Sequence, residues 1–186
     1  MTIIAGIDTE TTGFNPDKGD RIIEICASLY ELESRRKLKT WTQRINPQRP
    51  IPIEASDVHG IVYADVANAP VWREVSPTVL RILNVSDVLV AHNAKFDVNF
   101  LIHHFLQEGL IPPEHLEVFD TMDARWATWD GKNPSLQELC FSLQVEYDTS
   151  KAHAAEYDVD VMMRCLFEGL DRGFYKLSRN TQREAA

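Results

Sequence analysis

The sequence predicts an α/β fold: a mixed β-sheet flanked by α-helices. Two features of the order of its segments point there. Three strand-like stretches come first, joined by turn-rich links, and helix-like and strand-like stretches then alternate to the end of the chain. A third observation sets the scale, because 186 residues without repeats or low-complexity tracts suit one compact domain with a substantial core.

The first element is the apolar run Ile3-Ile4-Ala5-Gly6-Ile7, too short for a convincing helix and rich in isoleucine, so it reads as a buried strand. It ends in Asp8-Thr9-Glu10. From Arg21 to Tyr30, Ile23, Ile25, Ala27 and Leu29 alternate with Glu24, Cys26 and Ser28, which is a second strand, and residues 15–20 have the composition of a hairpin-like return. The basic run Arg35 to Lys39 reads as a solvated edge that discourages pairing, and Thr40 to Ile45 as a third strand. Residues 46–53, with Pro47, Pro50 and Pro52, read as a loop.

Trp72 to Leu83 has helical spacing, with Pro77 expected in the first turn, and Asp87 to Ala91 is a short buried strand. Val98, Leu101, Ile102 and Phe105 mark an amphipathic helix over 94–107. Glu117 to Phe119 is a strand, and Asp120 or Thr121 is expected to cap a helix after it. Ser135 precedes a helix carrying Leu136, Leu139, Cys140 and Leu143. Val159, Met162, Met163, Leu166 and Leu170 line a terminal helix, beyond which the chain from Tyr175 turns polar and is expected to fray. The domain is expected to span residues 1–175, with 176–186 as a polar tail.

No charged start followed by an apolar signal core opens the chain, and no run is long enough to span a bilayer, so a soluble cytoplasmic protein is expected. Cys26, Cys140 and Cys165 lie among apolar neighbours, which suits reduced core thiols, and the histidines have no zinc spacing. The net charge of −9 argues against a nucleic-acid partner unless several acids are metal ligands, in which case bound cations cancel them where a phosphate docks.

The acids are placed as such a site requires. Side chains alternate along a strand, so Asp8 and Glu10 point the same way, and two adjacent carboxylates call for a cation; a hard divalent metal is the natural one. Alone, Asp-x-Glu also fits a solvated strand end. Asp97 sits one turn before Leu101 at the border of an apolar stripe, where a first-turn acid also complements the helix dipole. Asp158 precedes Met162 by one turn on a core-facing side. His153, five residues earlier, is expected in the loop before that helix, able to reach the same site and suited to taking a proton from water.

Taken in order, Asp8-x-Glu10, His92-Asn93-x-x-Phe96-Asp97 and His153 followed by Asp158 resemble the signature of DEDDh 3'-5' exonucleases. Thr11-Thr12-Gly13, Ile22-Ile23-Glu24-Ile25, Val58-His59-Gly60-Ile61, Asp120-Thr121 and Ser135-Leu136-x-x-Leu139-Cys140 extend the resemblance over nearly the whole chain. It is greatest toward the branch containing the epsilon proofreading subunits of bacterial DNA polymerase III. The resemblance implies a ribonuclease H-like fold and a metal-dependent exonuclease releasing nucleoside 5'-monophosphates from the 3' end of single-stranded DNA, with RNA as the alternative substrate.

Carried over by position, Asp8, Glu10, Asp97 and Asp158 are the metal-site and catalytic acids, and His153 is the general base. The tyrosine variant places its base four residues before the last acid, where this chain has Ala154. Two Mg2+ or Mn2+ ions about 4 Å apart suit such a site. Thr11, Gly13 and Phe14 are expected to border the terminal nucleotide, with Phe14 able to stack on a base, and His59 and Asn93 match positions near the bound end. Trp126 and Trp129, near Arg125, are read as one helical turn apart, either packing or forming a stacking platform; Glu156 and Asp160 are the reserve acids beside Asp158. No segment resembles a clamp or polymerase anchor, which leaves a polymerase partner and a free-standing enzyme both open.

Overall fold

A computed structural model of the chain describes residues 1–178. Its frame is a five-stranded sheet in the order β3-β2-β1-β4-β5, made of β1 (Ile3–Thr11), β2 (Ile22–Glu31), β3 (Lys37–Arg44), β4 (Val88–Ala91) and β5 (Glu117–Asp120). β1–β2 and β2–β3 pair antiparallel, while β1–β4 and β4–β5 pair parallel. The hairpin half of the sheet is thus built by turns and the parallel half by helical crossovers. Crossovers and caps come from α1 (Ile53–His59), α2 (Tyr63–Val66), α3 (Trp72–Val85), α4 (Ala94–Gln107), α5 (Leu136–Leu143) and α6 (Ala155–Asp171).

The period-two alternation of β1 divides the core into two layers. Ile4 packs with Val159, Met162, Met163 and Leu166 of α6 and Leu139 and Leu143 of α5, whereas Ala5 and Ile7 pack with Val75, Val79 and Leu83 of α3 and Phe100, Leu101 and Phe105 of α4. Gly6, on the α6 side, is a spacer: a Cβ there would stand 2.9 Å from Met163 Sδ. Because Gly6 faces α6, so do Asp8 and Glu10, and Thr9 between them faces α4.

Several expectations need correction. The loop expected over 46–53 holds as far as Pro52, where α1 begins at Ile53, and the unexpected elements are α1 and α2; both are short, and α1 buries no residue, so neither carries an apolar period. Pro77 sits in the interior of α3, not its first turn; where its missing N–H leaves the Arg73 carbonyl short of a donor, the Ser76 hydroxyl donates to that oxygen at 3.4 Å. No α-helix follows β5 directly. Residues 122–134 form turns and one 3-10 turn, Arg125–Ala127, so Trp126 and Trp129 are not on a helical face.

The basic run does not stop pairing altogether, because Lys37 and Lys39 belong to β3, which nevertheless remains the sheet edge. Tyr175 does not fray: it is buried, and its hydroxyl donates to the Thr121 carbonyl at 2.7 Å. Leu177 packs on the same core, and the Ser178 N–H donates to Glu117. The remainder of the expected polar tail, 179–186, lies outside the described residues. No helix among the described residues is long and apolar enough to cross a membrane.

Candidate active site

Three elements bring four acids to the same end of the sheet, at the C-terminal end of its central strand. Asp8 and Glu10 project from the end of β1 toward α6, Asp158 lies in the first turn of α6, and Asp97 lies in the first turn of α4. The α4 acid reaches β1 through Thr9, whose hydroxyl donates to Asp97 Oδ1 at 2.7 Å; Asp97 is 3% exposed.

The acids sense one another. Burial, then the charges of Asp97, Glu10 and Asp158, raise the pKa of Asp8 well above the carboxylate range. Burial, followed by Asp158 and Glu24, pushes Glu10 up to about 8. Burial pushes Asp97 up to about 7, against the opposing pull of Thr9. Asp158 is raised by burial, while the His153 N–H and charge act the other way. Like charges gathered in a half-buried cleft disfavour ionisation unless a cation joins them.

A divalent cation fits this arrangement. Asp158 Oδ2 accepts the His153 backbone N–H at 2.9 Å, and Asp158 Oδ1 is buried without a hydrogen-bond partner. An orphaned carboxylate oxygen on an acid whose charge acts on Asp8 and Glu10 is suited to Mg2+ or Mn2+ more than to a soft metal. Among the described residues no three His, Cys, Asp or Glu side chains stand close enough as they are to hold a metal ion together, so binding would draw the acids inward.

His153 lies where the sequence placed it, in the loop before α6, exposed and at a positive φ of 64°. Its main-chain bond to Asp158 ties the candidate base to the last acid. The reserve acids do not share the site: Asp160 pairs with Lys37 and accepts from the Tyr30 hydroxyl, and Glu156 is exposed.

The junction between β4 and α4 is held by a neighbouring strand. Asp120 Oδ1 accepts the Asn93 N–H at 2.9 Å and Oδ2 the Ala94 N–H at 3.0 Å. Asp120 therefore caps α4, not a helix after β5, and a carboxylate at the positive end of α4 is favoured there. This cap holds Asn93 in a left-handed conformation at φ 78°. His92 is fixed by the Thr121 hydroxyl at 3.0 Å and by the Pro134 carbonyl at 3.1 Å, and burial lowers its pKa.

Of the expected substrate contacts, Phe14 and Asn93 meet in one cleft of about 510 Å3, shared with Lys95, Phe96 and Ile102. Phe14 is 88% exposed and edge-on to Phe96 at 6.5 Å. Thr11 is buried, its hydroxyl donating to the Gly13 carbonyl, so it shapes the turn and offers little side-chain surface. Gly13 packs against Asp20, whose carboxylate would lie 2.4 Å from an added Cβ. His59 Nδ1 accepts the Ile61 N–H at 3.0 Å, so Nε2 carries the proton; that N–H lies beside the Thr11 main chain but is buried without a well-formed hydrogen bond. Trp126 stacks on Phe174 at 4.4 Å and Trp129 is 99% exposed, so the two form no joint platform.

Sequence reasoning missed two residues of the site. Glu24 stands opposite Glu10 in the β1–β2 register, adds its charge to that of the acids and is held by Arg44 at 3.1 Å. Lys95 is the one cation in the Phe14 cleft. The strand alternation that revealed the Asp8–Glu10 pair would have found Glu24 once the hairpin register was counted.

The exonuclease family profile, RNase_T, matches residues 5–166. The chain is 32% identical over 163 residues to the DNA polymerase III subunit epsilon of Rickettsia typhi, covering 84% of this chain and 69% of that protein. It is 32% identical over 167 residues to the 3'-5' exonuclease DinG of Bacillus subtilis, covering 89% of this chain but 17% of that one. Among solved structures, exonuclease X in complex with 5' overhanging duplex DNA superposes with a TM-score of 0.70 at 25% identity, covering 93% of this chain and 94% of that one. Exonuclease I of E. coli in complex with a dT13 oligonucleotide shares the fold with a TM-score of 0.79 at 17% identity, over 94% of this chain and 43% of that one. With the profile spanning most of the chain, the chain belongs to the exonuclease family, as a DEDD-type 3'-5' exonuclease of ribonuclease H-like fold.

Proposed function

We propose that the protein removes nucleotides from the 3' end of single-stranded DNA, releasing nucleoside 5'-monophosphates. The observation that carries this reading is the convergence of Asp8, Glu10, Asp97 and Asp158 at one end of the sheet, with Asp158 Oδ1 buried and unpaired and with burial and the neighbouring acids raising the pKa values of Asp8 and Glu10. DNA as substrate comes from the relatives, two of whose solved structures hold DNA.

Asp8, Glu10, Asp97 and Asp158 would hold two divalent ions, Mg2+ or Mn2+. Bound there, such ions lower the pKa of a water and neutralise charge on the phosphate and the leaving oxygen. The chain supplies the rest. His153, tethered to Asp158, accepts the water's proton on its unprotonated ring nitrogen. Thr9 fixes Asp97, so the α4 acid does not have to be ordered during turnover. Phe14 stacks on a terminal base, and Asn93, with Lys95 beside it, borders the strand in the adjoining cleft. Thr11 and Gly13 set the turn that presents Phe14, and His59 offers its buried Nε2 proton near the bound end.

The test is a time course on 5'-labelled DNA and RNA single strands of matched sequence, with Mg2+ or Mn2+, against Asp8→Ala protein and a chelator. A ladder shortening from the 3' end, faster on DNA and abolished by both controls, is expected. Faster shortening of RNA would reassign the substrate, and no cleavage with metal bound would overturn the reading. A polymerase partner, suggested by the names of the epsilon relatives, is tested separately by co-purification.

A further inference from the structure

A second cavity, of about 360 Å3, lies on the other layer of the molecule, between the loop after β3, the start of α3 and the last turns of α4. Arg21, Trp72, Arg73, His104 and Glu108 are among its walls, and none of the four site acids is. Its volume is at the lower end for small-molecule pockets, enough for one compact ligand and not for a strand.

The wall is rich in donors. Trp72 is only 8% exposed, and its indole N–H is buried without a hydrogen-bond partner. That N–H has no surface open to the cavity, and the cations among the lining residues are Arg21 and Arg73. Arg21 and His104 both line this space, and the Arg21 guanidinium also donates to the Asp20 carbonyl at 3.4 Å. His104, 2% exposed and edge-on to Trp72 at 5.2 Å, donates Nδ1–H to the Phe100 carbonyl at 2.8 Å. Arg73, in the positive first turn of α3, has one long ion pair, to Glu108 at 3.7 Å. Such an exposed pair is worth at most about 1 kcal/mol and yields readily to a phosphate. The rim is set in advance: Asn46 Oδ1 accepts the Gln48 N–H at 2.8 Å.

We propose that this pocket binds a small phosphate monoester of nucleoside 5'-monophosphate size, its phosphate between Arg21 and Arg73. The choice of a nucleotide rests on the exonuclease reading above, since that reaction produces such a monoester. The pocket also adjoins the site through the chain, because Thr12 and Arg21 exchange hydrogen bonds, N–H to carbonyl at 2.9 Å and N–H to hydroxyl at 3.0 Å, one residue from Thr11 and Gly13.

The test is calorimetric titration of the full chain with dTMP, thymidine and inorganic phosphate in chelator, so that no metal draws phosphate to the acids. Saturable dTMP binding is expected, weakened about 10-fold or more in Arg21→Gln and in Arg73→Gln, each of which removes one charged hydrogen bond. Binding should be unchanged in Asp8→Asn. Thymidine should not bind, and phosphate alone should bind more weakly than dTMP. The proposal is overturned if Asp8→Asn abolishes binding while Arg73→Gln spares it, if phosphate equals dTMP, if a 3'-blocked oligonucleotide needs Arg73 while dTMP does not bind, or if nothing binds. Arg73→Gln should digest DNA at the wild-type rate. A wild-type protein that digests nothing removes the exonuclease reading, whereas one that digests DNA but binds no dTMP removes only this pocket.

Discussion

Asp97 and Asp158 occupy equivalent places, each in the first turn of a helix facing the end of β1, yet they are held in opposite ways. Asp97 is 3% exposed and clamped by the Thr9 hydroxyl from inside the sheet. Asp158 has one oxygen tied to the main chain of an exposed loop and the other without a partner. The α4 side of the site is fixed by the core, while the α6 side hangs on the loop that also carries His153. Asp97 is thus held from within the core, whereas the candidate base His153 sits on an exposed loop.

The strongest way to break this comparison is to neutralise either acid. Asp97→Asn and Asp158→Asn should each lose activity about 10^3-fold or more, equivalent to several kcal/mol of transition-state stabilisation. Their metal isotherms should show a lost or weakened site, and normal binding with full turnover would remove the residue from the metal set. His153→Ala should fall about 10^2- to 10^4-fold in kcat with metal affinity unchanged, the range for a general base. Loss of metal binding in that variant would reduce His153 to a support for Asp158.

Stability without metal gives a third measure. Glu10 has a folded pKa of about 8, above its ordinary value of 4.5, so the native state holds the proton longer than the unfolded chain. Stability of the metal-free protein should therefore decline as pH rises from about 4.5 to about 8, and Mg2+ should restore it. Glu10→Gln should remove part of that slope and raise metal-free stability at pH 8 by about 1–3 kcal/mol while abolishing activity. Denaturant melts in chelator at pH 5 and pH 8 decide this, and a less stable Glu10→Gln protein at pH 8 would contradict the repulsion.

Thr9→Val sharpens the contrast between the arms. It keeps the shape and removes the clamp, so activity should drop about 10-fold, the worth of one hydrogen bond to a charged group. The smallest effect is expected at Phe14, whose replacement by Ala should raise KM several-fold on single strands and leave kcat near wild type, since a stacking contact is worth about 1–3 kcal/mol. A kcat effect larger than the KM effect would mean that Phe14 positions the scissile bond.

Much of the site was legible because its residues obey local periods. Asp8 and Glu10 share a face through strand alternation, and Asp97 and Asp158 precede core leucine and methionine by one helical turn, so the acids could be placed before any contact was known. Asp120 was legible as a cap but not as the cap of α4, because its partners Asn93 and Ala94 lie 27 and 26 residues away. Glu24 was read as the polar side of a strand, and only the register placed it opposite Glu10. α1 and α2 escaped notice because helices so short carry too few buried positions to show a period. Tyr175 sits in a polar stretch, and its burial depends on Phe119 and Thr121 from a distant strand.

The sequence by itself determined the main strands and the long helices, because alternation and helical spacing are properties of neighbouring residues, and the family resemblance named the candidate acids and their histidine. Only the tertiary structure decided that Thr9 clamps Asp97, that Asp120 caps α4, that one oxygen of Asp158 is buried without a hydrogen-bond partner, and that Arg21, Trp72 and Arg73 line a second cavity. These depend on strand order and helix docking, which set distances between residues far apart in the chain, and no local pattern encodes a distance.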